Sequence, residues 1–421
     1  MNNRINDLMH YLDAAHSVFH AVEGLKNILE ANGYTRLQES GKWELAAGGK
    51  YYMTRGGASI MAFRIPEVTP KGFMMSASHA DRPTFKVKEN GELTGKYTRL
   101  ATEKYGGMLI APWLDRPLSI AGRVFVETES GIVCKLIDID RDIALIPNVA
   151  IHMNREANSG YKWNPAVDLL PLLGGKDCGE ELKAQLEEIA GGKILGHDLY
   201  LYVREDARVW GLRNEYLSAP ALDDLACVWG CAQGLLKAEA GKALPVLCVF
   251  DSEEVGSSSN QGADSTFLDR LLVRISAGLG LCHDEMLHKS FLLSADNAHA
   301  IHPNHPEYAD SANAPVMGGG IVLKFNANLS YTTDGYSAAV VRKLCKDADV
   351  AVQTYYNRAD LRGGSTLGHI STGHVSVSSA DIGLAQLAMH SCYETLGVED
   401  VAALEKLMQT FFAGYTADMV R

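Results

Sequence analysis

Three short apolar runs in this chain each stop on ionisable residues, and that pattern limits the folds open to it. Gly72-Phe73-Met74-Met75-Ser76-Ala77-Ser78 leads into His79-Ala80-Asp81, and Pro245-Val246-Leu247-Cys248-Val249-Phe250 leads into Asp251-Ser252-Glu253-Glu254. Ser290-Phe291-Leu292-Leu293-Ser294 leads into Ala295-Asp296-Asn297-Ala298-His299. Such a run has no polar face to give to water, so it reads as a strand buried on both sides. Helices cover sheets of that kind, and their sites gather beyond the carboxyl ends of the strands. Helical spacing recurs around the runs: at Ile5, Leu8, Met9, Leu12 and Ala15, then at 21–31 before Asn32-Gly33, and at 224–238, 266–277 and 399–414. The expected fold class is α/β.

The texture changes between residues 88 and 207. Short β-like segments at 120–126, 131–136, 195–203 and 207–212 alternate with turns, and helical spacing is confined to 180–189. An inserted, mainly β module over 88–207 is expected, splitting the α/β domain into 1–87 and 208–421. Residues 51–54 and 59–64 flank Arg55-Gly56-Gly57 and predict a hairpin.

Charge excludes some partners. Lys plus Arg number 39 against 51 Asp plus Glu, a net charge of -12, which neither nucleic acid nor an anionic membrane would attract. No apolar run approaches the roughly 20 residues of a membrane span. The N-terminal Met1-Asn2-Asn3-Arg4-Ile5-Asn6-Asp7 has no signal-peptide core, so a cytoplasmic location is expected. Eight cysteines without a CxxC pair fit reduced structural thiols. Cys227 and Cys231 lie one helical turn apart among Ala226, Val228, Trp229 and Ala232, which reads as a core helix.

Adjacent carboxylates at the end of a buried strand resist ionising together. A dication resolves the difficulty, leaving one as ligand and its neighbour as base. Converging His, Asp and Glu without Cys form an N/O set suited to zinc, cobalt or manganese in a hydrolytic role. Blander readings stand beside this one. Asp251 to Glu254 can be a solvated acidic turn. Asp223 can be a helix N-cap, and His390 a structural histidine where a helix begins. Pro303 and Pro306 break helical spacing among His299, His302 and His305, so these predict a loop beside Asp296. His369 and His374, in and after the glycine-rich 363–369, lack a P-loop lysine and argue against phosphate binding.

His79-Ala80-Asp81-Arg82-Pro83, followed by Phe85-Lys86-Val87-Lys88, resembles the His-Thr-Asp-Ser-Pro segment of the aspartyl aminopeptidases. These are di-zinc exopeptidases related to vacuolar aminopeptidase I. Leu222-Asp223-Asp224-Leu225 resembles the family's Leu-Asp-Asn-Leu, and Asp251 to Ser257 resembles its Glu-Glu-Ile-Gly-Ser. The segments 294–304 and Ala388-Met389-His390-Ser391-Cys392-Tyr393-Glu394 match in order, as do Tyr105-Gly106-Gly107 and Trp113-Leu114-Asp115-Arg116. The resemblance implies a mixed-sheet, three-layer metallo-aminopeptidase domain with an inserted β dimerisation domain.

It also implies two divalent ions per subunit, zinc first with cobalt or manganese as alternatives. His79, Glu254, Asp296 and His390 would be ligands, and Asp223 the bridge. Glu253 would be the general base, Asp81 would orient His79, and Asp251 would give outer support. By resemblance His152, within 146–155, would reach a partner subunit's site. Lys324, within Gly319-Gly320-Ile321-Val322-Leu323-Lys324-Phe325-Asn326, would pair with an acidic N-terminal side chain of a peptide, and His299 would contact substrate. Dimers would build a tetrahedral dodecamer. Arg82 for Ser and Asp224 for Asn depart from the family pattern and place strict Asp/Glu preference in question. A related di-metal amidohydrolase and a metal-free scaffold of the same fold are the rival readings.

Overall fold

The computed structural model describes residues 3–414 except 177, 179 and 362. Its centre is a nine-stranded mixed sheet. The order is Thr35–Arg36, Lys50–Arg55, Ser59–Arg64, Leu244–Phe250, Phe73–His79, Phe291–Ala295, Ser378–Gly383, Ile321–Phe325 and Val352–Tyr356. The three apolar runs lie side by side and every residue of the three strands is buried. Successive residues face opposite layers. Leu247, Val249, Met74, Leu293 and Ala295 join one core, while Val246, Cys248, Phe250, Met75 and Leu292 join the other. The first is roofed by helices Val18–Ala31, Leu222–Lys237, Gly335–Asp347 and Val398–Phe412. The second lies under Phe267–Gly278 and Leu367–His374. Fully burying one such side chain contributes about 1.5–3 kcal/mol.

Leu222–Lys237 and Val398–Phe412 approach closely through two glycines one turn apart. A Cβ at Gly234 would meet Met408 Cβ at 2.4 Å, and one at Gly230 would meet Leu404 Cδ2 at 2.6 Å. Propensity disfavours glycine inside a helix; here the contact requires it.

Residues 84–203 build a separate six-stranded antiparallel sheet, ordered Gly131–Asp138, Leu118–Thr128, Ile194–Val203, Thr84–Leu93, Thr98–Tyr105 and Leu172–Gly174. It has its own core, including Phe85, Trp113, Ile120 and Leu201, and the helix Glu181–Ala190 packs on it. The limits differ slightly from 88–207. Thr84–Val87 already belong to this sheet, and Arg208–Trp210 pairs instead with Tyr216–Ala219. That pairing starts a third, five-stranded sheet with Glu394–Gly397, Ala385–Leu387 and Ala298–His299. Among the described residues, no helix is long and apolar enough to cross a membrane.

Candidate metal centre and active-site cavity

Parallel register brings the strand ends level. Phe250 pairs with His79, and Ser294 with Ala77, so Asp251–Glu254 and Asp296 leave the sheet beside His79. Ser252, with φ of 66°, turns the chain into a single 3-10 turn, Glu253–Val255. Asp223 and Asp224 occupy the start of Leu222–Lys237 with non-helical backbone angles. The capping reading of Asp223 fails there, because the N-cap position is Ala221 and Asp223 lies inside the first turn. His390 is not at a helix start either. It sits at φ 67° in the turn between Ala385–Leu387 and Glu394–Gly397.

Asp223 stands between the two histidines. Its Oδ1 is 3.4 Å from His79 Nε2, and its Oδ2 is 3.7 Å from His390 Nε2. His390 Nε2 also lies 3.3 Å from Glu254 Oε2. His79, Asp223 and Glu254 each offer a ligand atom within 4.8 Å of the others, and so do Asp223, Asp224 and Asp296. Glu254 Oε1 and Asp224 Oδ1 are buried without a hydrogen-bond partner.

Electrostatics show what this set lacks. Burial, with Asp223 and Glu253 adding to it, holds Glu254 well above the usual carboxylate range. Burial raises Glu253 to about 8, with His79 opposing and Asp296 adding. Asp296 is raised by burial to about 6, against Lys324. Burial also holds Asp224 well above the usual carboxylate range, with His79 opposing and Asp296 and Asp223 adding to it. Burial opposes charge on His79, but Asp223 and Asp81 outweigh it and raise the imidazole. A cluster that draws a proton onto a buried histidine is short of positive charge. Hard oxygens, two imidazoles and unpartnered buried carboxylate atoms fit divalent cations.

The supporting groups are specific. His79 Nδ1 lies 3.1 Å from the Asp81 main-chain carbonyl and 3.4 Å from Asp81 Oδ1. The nearest acceptor is thus Asp81's backbone carbonyl, with the carboxylate slightly farther away. Asp81's carboxylate instead accepts the amides of Glu253 at 3.1 Å and Glu254 at 3.2 Å, and the Tyr105 hydroxyl at 2.7 Å. Glu394 accepts the amide of Asp223 at 2.9 Å and that of His390 at 2.7 Å. One buried carboxylate therefore ties two distant segments together. Asp251 lines a small hollow with Asp81, Arg82, Tyr105 and Tyr200, outside the active-site cavity.

A cavity of about 310 Å³ opens on the cluster, lined by His79, Asp223, Glu253, Asp296, His299, Lys324 and His390. Tyr331, Tyr355 and the 364–366 segment complete it; the sequence carried no signal for the two tyrosines. Lys324 Nζ donates to the Asp296 carbonyl at 2.7 Å and the Asn297 carbonyl at 3.2 Å, and lies 3.8 Å from Asp296 Oδ2. Burial opposes its charge, yet Asp296, Tyr331 and Asp381 keep it protonated. Asp381 accepts the Thr332 amide at 2.6 Å and the Thr366 hydroxyl, fastening the cavity wall. His152 is not among the cavity residues; it lies on an exposed turn between Ile151 and Met153.

Similarity to known proteins agrees with the geometry. The Aminopeptidase I zinc metalloprotease (M18) family model matches residues 11–412. The probable M18 family aminopeptidase 2 of Clostridium novyi (strain NT) is 42% identical over 431 residues, covering 98% of this chain and 100% of that protein. Ape4, in a cryo-EM structure of the Ape4 and Nbr1 complex, superposes with a TM-score of 0.96 at 32% identity, over 99% of this chain and 87% of that one. The mApe1 dodecamer of S. cerevisiae gives 0.88 at 25% identity, over 100% and 99%. The chain belongs to the M18 aminopeptidase family and is a metallo-aminopeptidase of that zinc-dependent class.

Proposed function

We propose that this aminopeptidase releases N-terminal residues, acidic ones first, from peptides at a two-cation centre. His79, Asp223 and Asp296 would hold one ion, and Asp223, Glu254 and His390 the other. The observation that carries this is Asp223, whose two oxygens each face a different histidine. Two divalent ions held there would supply Lewis acidity toward a scissile carbonyl and an attacking water. Glu253, at the cavity wall beside the cluster, takes the proton from that water and returns it to the leaving amine. Asp81 fixes the Glu253 and Glu254 backbones, so base and ligand keep their spacing.

Lys324 lines the cavity and supplies positive charge there. That supports acidic N-terminal residues, with His299 beside Tyr355 at a ring separation of 6.2 Å forming another part of the wall. A homo-oligomer is also proposed. Gly131–Asp138 is an edge strand exposing Ile132, Val133 and Leu136, and Val149, Ile151 and Met153 are exposed around His152. Edges and apolar patches of this kind suit a second copy, in dimers that build a tetrahedral dodecamer; a dodecamer is the assembly named for mApe1.

A panel of aminoacyl chromogenic substrates with zinc, cobalt and manganese tests the reading. Asp and Glu substrates should turn over fastest, and their N-acetylated forms should be inert. Release of acetate from the acetylated forms would instead assign the site to a deacylase, and purified protein with no bound transition metal and no metal-restored activity would end the enzymatic reading.

A further inference from the structure

We infer that Tyr105-Gly106-Gly107, where the six-stranded sheet hands the chain on, is a positioning strap for the metal centre, so that the separate β sheet forms part of the active site. The inference rests on the two-cation reading above.

The three residues reach three different parts of the cluster. The Tyr105 hydroxyl donates to Asp81 Oδ2 at 2.7 Å, the oxygen that also accepts the Glu254 amide. Gly106, at φ 74°, lies against Glu254: a Cβ there would stand 3.1 Å from Glu254 Cβ and 3.3 Å from its carbonyl oxygen. The Gly107 carbonyl lies 2.6 Å from His390 Nδ1. A carbonyl can only accept, so Nδ1 carries a ring proton and Nε2 is the atom turned toward Asp223 and Glu254. Two further contacts fasten the same junction: the Leu109 amide donates to the His390 carbonyl at 2.9 Å, and Cys392 Sγ to the Pro112 carbonyl at 3.1 Å.

The strap is anchored at its other end. Tyr105 closes the strand Thr98–Tyr105, and its ring meets Tyr200 of Ile194–Val203 edge-on at 5.8 Å. A shift of that sheet against the central one therefore moves Asp81's hydroxyl partner and His390's carbonyl partner together. Groups of this kind, which orient ligands without touching the ion, typically alter metal affinity or turnover by about 10–100-fold when removed.

Tyr105→Phe removes one oxygen and leaves the ring against Tyr200. With the full chain, bound zinc per chain, the visible spectrum of the cobalt-substituted protein, kcat and KM are measured for wild type, Tyr105→Phe and Gly106→Ala. Tyr105→Phe should keep the wild-type metal content and KM, lower kcat about 10-fold and shift the cobalt bands. Gly106→Ala should lose one ion per chain under conditions that saturate wild type. Wild-type kcat and spectrum in Tyr105→Phe, beside a metal-loaded wild type, overturn this inference alone, and Tyr105→Phe decides by itself if Gly106→Ala does not fold. A wild-type chain without transition metal overturns the two-cation reading and the strap with it.

Discussion

Glu253 and Glu394 are both buried carboxyl groups near Asp223, yet they answer to different tests. Burial lifts Glu253 to about 8, while His79 opposes the rise and Asp296, Asp81 and Asp223 reinforce it. A base must be deprotonated, so activity should climb with pH on the acid side. Cations beside the carboxylate favour its charged form and move that limb below 8. Glu253→Gln should keep bound metal, lose the acid limb and lower kcat by about 10²–10⁴-fold. Unchanged turnover removes Glu253 from the base role. Glu394 lies outside the active-site cavity; it accepts two amides, those of Asp223 and His390. Gln there keeps one accepting oxygen and turns an NH₂ toward the other amide, costing about 1–3 kcal/mol. Glu394→Gln should weaken metal binding about 10-fold, read by competition with a chromogenic chelator. Wild-type affinity would leave Glu394 a fold residue only. Glu253 was legible beforehand because it stands in an acid pair after an apolar run. Glu394 was not assigned a role, because accepting backbone amides depends on where two loops meet and leaves no pattern of residue types.

At the level of elements, the apolar runs were readable as strands because burial on both faces leaves the sequence no polar alternation. Their register was not, and register is what sets Phe250 against His79. The turn carrying His390 escaped for a related reason: its conformation is imposed by Glu394 and by Gly107, from elements far apart in the chain. The C-terminal helix shows a further constraint of this type. Asp400, in the first turn of Val398–Phe412, accepts the amides of Gly318 at 2.6 Å and Gly320 at 2.8 Å, joining the helix to the approach of Ile321–Phe325. Burial nevertheless raises it to about 6, against those two hydrogen bonds. The folded protein thus holds this proton more tightly than the unfolded chain does. Its stabilising effect is complete below about pH 4, and is lost as pH rises to about 6. Asp400→Asn should flatten that part of the stability–pH curve, by about 3 kcal/mol across the window relative to wild type. Urea midpoints at pH 4, 5, 6 and 7 check it: a wild-type minus variant difference that is constant with pH contradicts the assignment.

The whole molecule poses a problem that one chain does not solve. His79, Asp223, Glu253, Glu254, Asp296 and His390 gather from five stretches of sequence, whereas His152 stays on an exposed turn beside Ile151 and Met153. If His152 serves a neighbour, Glu253 and His152 of one working site come from different chains, and damage to each can be complemented. His152→Ala should assemble normally and lose most of its turnover; Glu253→Gln should do the same. Co-expressed with distinct tags, the two inactive chains form mixed dimers. In each mixed dimer one site combines an intact Glu253 with the other chain's intact His152, and the second site carries both lesions. Random pairing under two-fold symmetry should therefore restore roughly a quarter of wild-type turnover. Tandem purification on both tags should raise the recovery to about half if the assembly is a lone dimer, and leave it near a quarter in a dodecamer, where almost every particle carries both tags. Recovery cannot arise if His152 acts within its own chain, because every site would then keep a lesion. Mixed assemblies that stay as inactive as their parents would confine His152 to the surface and return the specificity question to Lys324 and the cavity wall around Tyr331 and Tyr355.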